Sequence, residues 1–378
     1  MNVTEPFVLK DDILLIPCAE LGEDFRRRIS FDDGDFTLSH RHGRAFAQVI
    51  DGGTAALLQL FRNPRTIANA VIENSRVLGR DPKARFEELL PHLGTFVQDG
   101  VLVPAGEDTR EIRPRYDSGA AIAGWEIVRC VRFMDDSEIY EVRKGGEAAA
   151  VKIARTATPA VESLFRNEAA ILRHLDGSGV APRLIDAGRH ETQPYLAIEW
   201  IGGDDALAAA ARRRHDRGAL IELCASIAAA YAALHARGVL HGDIHPRNVL
   251  VGEKIVLLDF GYARRTDRRP RTGRGGVAPF LEPESIAGEV PSSEAGEQYA
   301  LGALLYLLIA GHPYLEFRLD RDEMLRQVEN DPPLPFAERG VAPWPEVERI
   351  LFRALEKDPA RRHASIAGMA ALLAEVRE

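Results

Sequence analysis

The stretch His241–Gly261 reads HGDIHPRNVLVGEKIVLLDFG and gathers side chains that can do chemistry together. It holds Asp243, then Asn248 five residues on, then Asp259 in an Asp-Phe-Gly turn. A carboxylate such as Asp243 can orient an attacking hydroxyl and accept its proton. The amide oxygen of Asn248 and the carboxylate of Asp259 can hold metal ions against phosphates, so the set suits phosphoryl transfer from a Mg²⁺-nucleotide. The apolar runs Asn248–Val251 and Ile255–Leu258 read as two short buried strands, turning at Gly252-Glu253-Lys254. Such a hairpin sets Asp259 at a strand end beside the loop that carries Asp243 and Asn248.

The chain of 378 residues has room for two or three domains with real cores. Its hydrophobic and charged fractions, 46% and 28%, are those of a soluble globular protein. No apolar run reaches the ~20 residues of a membrane span, and no secretory signal is legible. Cys18, Cys130 and Cys224 are scattered and odd in number, which suggests neither a disulfide framework nor a zinc site and fits a cytoplasmic location. A formal net charge of −9 argues against general nucleic-acid binding. The basic residues are almost all Arg, with Lys at positions 10, 83, 144, 152, 254 and 357 alone. No fixed-period repeat or low-complexity tract is present.

The order His-x-Asp-x-x-x-x-Asn, apolar hairpin, Asp-Phe-Gly resembles the catalytic and metal-binding loops of the protein-kinase-like superfamily. Further segments extend the resemblance over about residues 125–375. Ala148–Ile153 reads as a strand carrying Lys152, which in that family contacts the α- and β-phosphates of ATP. Glu168, on a helix expected over about 159–175, is the candidate partner of that Lys, with Glu162 a weaker competitor. Tyr195–Gly203 resembles the strand and hinge that read adenine through backbone groups; Glu199, Trp200 and Ile201 would form the hinge, with Ile198 beside the adenine. Phe280–Glu284 resembles the end of an activation segment, and Glu297–Tyr306 the central helix of the larger lobe, with Glu297 in place of the usual Asp. Asp358–Arg362 resembles the family's Asp-Pro-x-x-Arg, which implies a buried pair between Arg362 and Glu284.

The chain departs from the family in two places. Val128–Val142, where phosphate-covering glycines usually stand, has no glycine; Ser137 and Arg132 could supply a hydroxyl and a charge. The catalytic loop reads His-Gly-Asp-Ile-His, with Gly242 where regulated kinases have Arg. Without that Arg, an activation-loop phosphate has no obvious basic partner. His245 either contacts the γ-phosphate or braces the loop. This local pattern is typical of aminoglycoside and choline phosphotransferases. Arg264, Arg265, Arg268, Arg269, Arg271 and Arg274 form either a solvated basic loop or a recognition surface for an acidic or phosphorylated substrate.

Residues 44–103 read as three short helices and a terminal strand, over 53–61, 65–78, 83–98 and 101–103. The run from Leu57 to Val103 resembles the PqqD-like domain, a winged-helix module that recognises leader peptides in the biosynthesis of ribosomally made, modified peptides (RiPPs). In such a domain the peptide adds a strand to a sheet edge; strands near Arg27–Phe31 and Phe36–Ser39 would supply that edge. No helix here carries a basic stripe for DNA.

The expected fold class is α+β, a bilobal protein-kinase-like fold preceded by a small winged-helix-like domain. The expected domains are 1–104 for peptide binding, 105–122 as linker, 123–203 as the smaller lobe and 204–378 as the larger lobe. The resemblance implies a cytoplasmic enzyme using ATP and Mg²⁺ to phosphorylate Ser or Thr in a precursor peptide, like the kinase part of lanthipeptide synthetases. Lys152, Glu168, Asp243, His245, Asn248 and Asp259 would be catalytic, with Asn248 and Asp259 on the metal. No lyase or zinc-cyclase signature is present, so elimination would fall to a separate protein. A small-molecule phosphotransferase and a non-catalytic scaffold are the rival readings.

Overall fold

The computed structural model describes residues 3–26, 29, 31–41, 48–106, 113–134, 136–268, 278–286, 293–318 and 321–377. The chain divides into two compact units. One comprises residues up to Pro114 with the stretches 133–135 and 318–323, and the other comprises the rest.

In the first unit, Pro6–Leu9 lies between Arg65–Thr66 and Leu102–Pro104, antiparallel to both. A second sheet has the order Ile13–Pro17, Phe36–His40, Gln48–Ile50. Phe36–His40 is therefore the central strand, bonded on both sides, and offers no open edge. That corrects its expected role, since the sheet's ends are the strands Ile13–Pro17 and Gln48–Ile50. The other expected strand, Arg27–Phe31, lies largely outside the described residues. Three helices follow: Gly52–Leu60, Ile67–Leu78 and Pro82–Gln98. Each starts at a side-chain cap, on Asp51, Thr66 and Asp81, which satisfies a backbone N–H of the first turn. Their apolar faces enclose Leu57, Leu58, Phe61, Ile67, Val71, Leu89, Leu93 and Phe96 with Phe7 and Leu9 of the first sheet.

The second unit opens on a six-stranded sheet in the order Leu184–His190, Gln193–Glu199, Glu147–Ala154, Ser137–Lys144, Trp125–Phe133, Ala121–Ile122. Strand alternation decides which side of it does chemistry. Ala149, Val151 and Ile153 join Trp125, Tyr140, Val142 and Tyr195 in a core on one face. Lys152 and Ala154 therefore point to the other face, where Ala154 packs with Phe165 and Ala169 of the helix Pro159–His174.

The expected linker 105–122 ends earlier than its composition suggests. Residues 107–112 lie outside the described residues. From Arg115 onward the chain belongs to the second unit. Ala121–Ile122 pairs with Trp125–Glu126, Ile122 is fully buried, and the Tyr116 N–H donates to the Tyr140 hydroxyl at 3.2 Å. Polar, Gly-bearing composition hid a two-residue strand that folds back on Trp125–Glu126.

The remainder is mainly helical. Glu294–Ala310 is buried along nearly its whole length, and Arg217–His235 and Ile366–Glu375 pack with each other. Against expectation, Arg217–His235 is long and apolar enough by composition to cross a membrane. Here Leu220, Cys224, Ile227, Tyr231 and Leu234 supply core packing for the helical part.

Candidate active site

Lys152, Glu168 and Asp259 meet at the helix-facing side of the sheet. The Lys152 ammonium donates to Glu168 Oε2 and to Asp259 Oδ1, each at 2.7 Å. Burial by itself depresses a lysine pKa; the Asp259 and Glu168 charges outweigh that and hold Lys152 above its ordinary value. It therefore stays a cation at any physiological pH. Glu162 instead pairs with Arg189 at 2.6 Å, which leaves Glu168 as the lysine's helix partner.

Asp259 stands in the left-handed backbone region, with φ of 62°. Asp is among the few non-glycine residues enriched in that sparsely populated region, and residues held there concentrate at functional sites. The surroundings here are specific. The Phe260 N–H donates to Glu168 Oε1 at 3.3 Å, and the Asn167 side chain donates to the carbonyls of Gly261 and Ala263 at 2.9 and 2.7 Å. The adjacent helix residues Asn167 and Glu168 thus grip the Asp-Phe-Gly turn from one side.

The hairpin appears in the expected place, as Val249–Val251 and Ile255–Leu257. The loop before it is tied to the strand end by two hydrogen bonds. His241 Nε2 donates to the Leu258 carbonyl at 2.9 Å, and the Leu258 N–H donates to the Asn248 carbonyl at 2.9 Å. Asn248 is buried and sends its amide N–H groups to the Asp243 carbonyl at 2.9 Å and to Asp243 Oδ2 at 3.2 Å. A carbonyl can only accept, so the amide orientation is fixed and Oδ1 is the atom left for another partner.

His245 Nδ1 accepts the Arg247 N–H at 3.2 Å, and its Nε2 lies 3.7 Å from Asp243 Oδ2. Burial lowers its pKa below the ordinary histidine value, opposed by the Asp243 and Asp259 charges and assisted by His241 and Arg132. The cap on Arg247 is a loop brace. Ser137 is buried, and its hydroxyl donates to Asp136 Oδ1 at 2.8 Å.

Gly242 explains the missing Arg physically. Its φ is 75°, and a Cβ there would sit 2.6 Å from the Tyr262 carbonyl oxygen. Its N–H donates to Glu297 Oε1 at 2.6 Å, and Glu297 Oε2 lies 2.7 Å from His235 Nε2. The longer Glu at this helix position thus anchors the catalytic-loop backbone while holding His235. Sequence reasoning noted the Asp-to-Glu change but not these partners, nor Asn167.

The expected hinge residues lie where the sheet ends. Ile198 pairs with Ala150 and is packed near Phe165, and Glu199 pairs with Ala149. The Glu199 carboxylate accepts the Arg183 N–H at 3.2 Å. Trp200 and Ile201 lead out of the sheet toward Asp204–Asp205, with Arg129 over the Trp200 ring at 5.9 Å. Gly203 permits close approach to the hairpin: a Cβ there would lie 2.7 Å from the Val251 oxygen. In the basic segment, Arg265 pairs with Asp267 at 2.5 Å, while Arg269, Arg271 and Arg274 lie outside the described residues. Arg362 donates to both oxygens of Glu284 at 2.8 Å each, the expected pair.

The family described as protein kinase domain matches residues 136–372, more than half of the chain. The chain belongs to the protein kinase family. The chain is 28% identical over 236 residues to the serine/threonine-protein kinase Pkn1 of Myxococcus xanthus, covering 59% of this chain and 33% of that protein. It is 28% identical over 278 residues to the serine/threonine-protein kinase PknB of Mycolicibacterium smegmatis, covering 67% of this chain and 43% of that protein. The matched stretch spans less than half the length of these curated relatives.

The kinase domain's donor set suits Mg²⁺-ATP. Among the described residues no cluster of three His, Cys, Asp or Glu side chains could cage an ion. One carboxylate, Asp259, and one amide oxygen, on Asn248, suit a hard cation that takes most of its ligands from phosphates and water. Lys152 supplies the compensating positive charge. The donor set fits.

Proposed function

We propose that the chain is an ATP- and Mg²⁺-dependent kinase that phosphorylates Ser or Thr in a ribosomally made precursor peptide. The observation that carries the kinase reading is the assembled set Lys152–Glu168–Asp259 with Asp243–Asn248, all in contact geometry. Lys152 positions phosphates, Asp259 and Asn248 hold metal, and Asp243 orients the substrate hydroxyl and takes its proton. The sheet end at Ile198, Glu199, Trp200 and Ile201 reads adenine. His245, tied to Arg247, holds the loop's shape. Bound Mg²⁺ neutralises charge on the transferring phosphoryl group. The protein's own contribution is positioning and fixed electrostatics.

Residues 1–104 we read as a PqqD-like, winged-helix-type module that takes the leader of that peptide. Three capped helices following a three-stranded antiparallel sheet support this reading. Gln48–Ile50, at one end of that sheet, is the strand on which we place the leader, by strand addition. A separate lyase or cyclase would act on the phosphorylated product. Gly242 and His245 favour a second reading, transfer to a small alcohol, because they share the small-molecule phosphotransferase pattern.

Kinetics on paired peptides test the leader assignment. Removal of residues 1–104 is expected to raise KM for a leader-bearing peptide at least about tenfold, the loss of one docking contact of roughly 1.4 kcal/mol. KM for the core peptide alone is expected to stay put. Equal effects on both peptides would contradict leader docking.

A further inference from the structure

We infer that Asn167 is a positioning residue that holds the metal-binding turn in its competent shape. The inference rests on the reading of Asp259 as a metal-holding carboxylate. Three main-chain carbonyls, on Phe260, Gly261 and Ala263, converge on the one Asn167 amide nitrogen at 3.4, 2.9 and 2.7 Å. An amide nitrogen has two hydrogens, so the two short bonds are the strong ones and the third is a weaker shared contact.

The rest of the turn is held from other elements. Leu258 is fixed through His241 and Asn248, the Phe260 N–H by Glu168, and the Asp259 carboxylate by Lys152. Within the turn, the Ala263 N–H donates to the Phe260 carbonyl at 3.1 Å. The Gly261 and Ala263 carbonyls have Asn167 as their side-chain donor. Asp259 sits immediately before this stretch at φ 62°, a sparsely populated conformation that the contacts on its two flanks help to hold. Glu168 and Lys152 fix the near flank. Asn167 fixes the far one, and it is the next residue of the same helix.

One helix therefore sets two things at once: the lysine that meets phosphates, through Glu168, and the backbone that aims the Asp259 carboxylate, through Asn167. A shift of Pro159–His174 releases both together. Asn167 touches neither substrate nor metal; it acts through the turn.

The test uses the full chain with Mn²⁺ as a spin probe and a non-hydrolysable ATP analogue, and reads bound metal by electron paramagnetic resonance. Asn167→Leu keeps volume and removes both donors. Asn167→Asp keeps shape and faces three carbonyls with an acceptor. Both variants are expected to weaken Mn²⁺ binding about tenfold, the usual scale for removing a group that orients a metal ligand. Their melting temperatures should match the parent, and kcat should fall more than KM for ATP rises. Mn²⁺ affinity within about twofold of the parent in both variants would overturn the inference. If the Leu variant fails to fold, the isosteric Asp variant decides. Asp259→Asn run in parallel separates the two claims. Parent-like Mn²⁺ binding there defeats the metal reading itself, whereas lost binding there beside parent-like Asn167 variants defeats only the role of Asn167.

Discussion

Asp259→Asn is expected to lower phosphoryl transfer at least about a thousandfold, with melting unchanged, because one preorganised charge aimed at the reacting phosphate is worth that much. The substitution changes charge and little else. Asn is among the residues that tolerate left-handed backbone, so the φ of 62° at this position remains affordable. Lys152 keeps Glu168 at 2.7 Å, so no buried cation is stranded. What disappears is the anionic oxygen that a hard divalent cation prefers. Steady-state turnover beside a thermal melt checks both halves. Near-parent turnover contradicts the assignment of Asp259 to metal.

Arg362→Met is expected to cost about 3–5 kcal/mol of folding stability, the range for removing one partner of a buried ion pair. The Arg362 side chain is fully buried, that of Glu284 is partly exposed, and the guanidinium also donates to the carbonyls of Ala295 and Glu356 at 2.7 and 2.8 Å. The Met variant therefore leaves a carboxylate and two carbonyls short of donors. At this chain length a loss of that size lowers the melting temperature by roughly 10 °C. Glu284→Gln, which keeps shape and some hydrogen bonding, should cost less. A loss below about 1 kcal/mol in Arg362→Met would contradict a structural role for the pair.

The sequence carried the chemistry because the chemistry is local. Asp243, Asn248 and Asp259 lie within one short segment, and the hairpin that arranges them follows from two apolar runs and a polar turn. Lys152 and Glu168 were legible through the family resemblance, and in the structure strand alternation and a helix face built on Phe165, Ala169 and Leu172 bring them together. Legibility failed where the deciding partner is far along the chain. Tyr116 looks like linker until Tyr140, 24 residues on, is placed beside it. Phe36–His40 reads as a strand, but only pairing shows that it is central. Asn167 carries no signal beyond sitting next to Glu168, since its three carbonyl partners are backbone atoms some ninety residues on. Glu297 looked like a conservative change, and the reason for its length, two partners on separate elements, is a tertiary fact.

The most direct test of the central claim is intact-mass spectrometry on a short peptide encoded beside this gene, incubated with the full chain, Mg²⁺ and ATP. The account predicts a gain of about 80 Da per phosphoryl group on Ser or Thr, abolished by Asp243→Ala. An unchanged peptide mass with an enzyme that binds Mg²⁺-ATP, or a gain that survives Asp243→Ala, would contradict a peptide kinase acting through this centre.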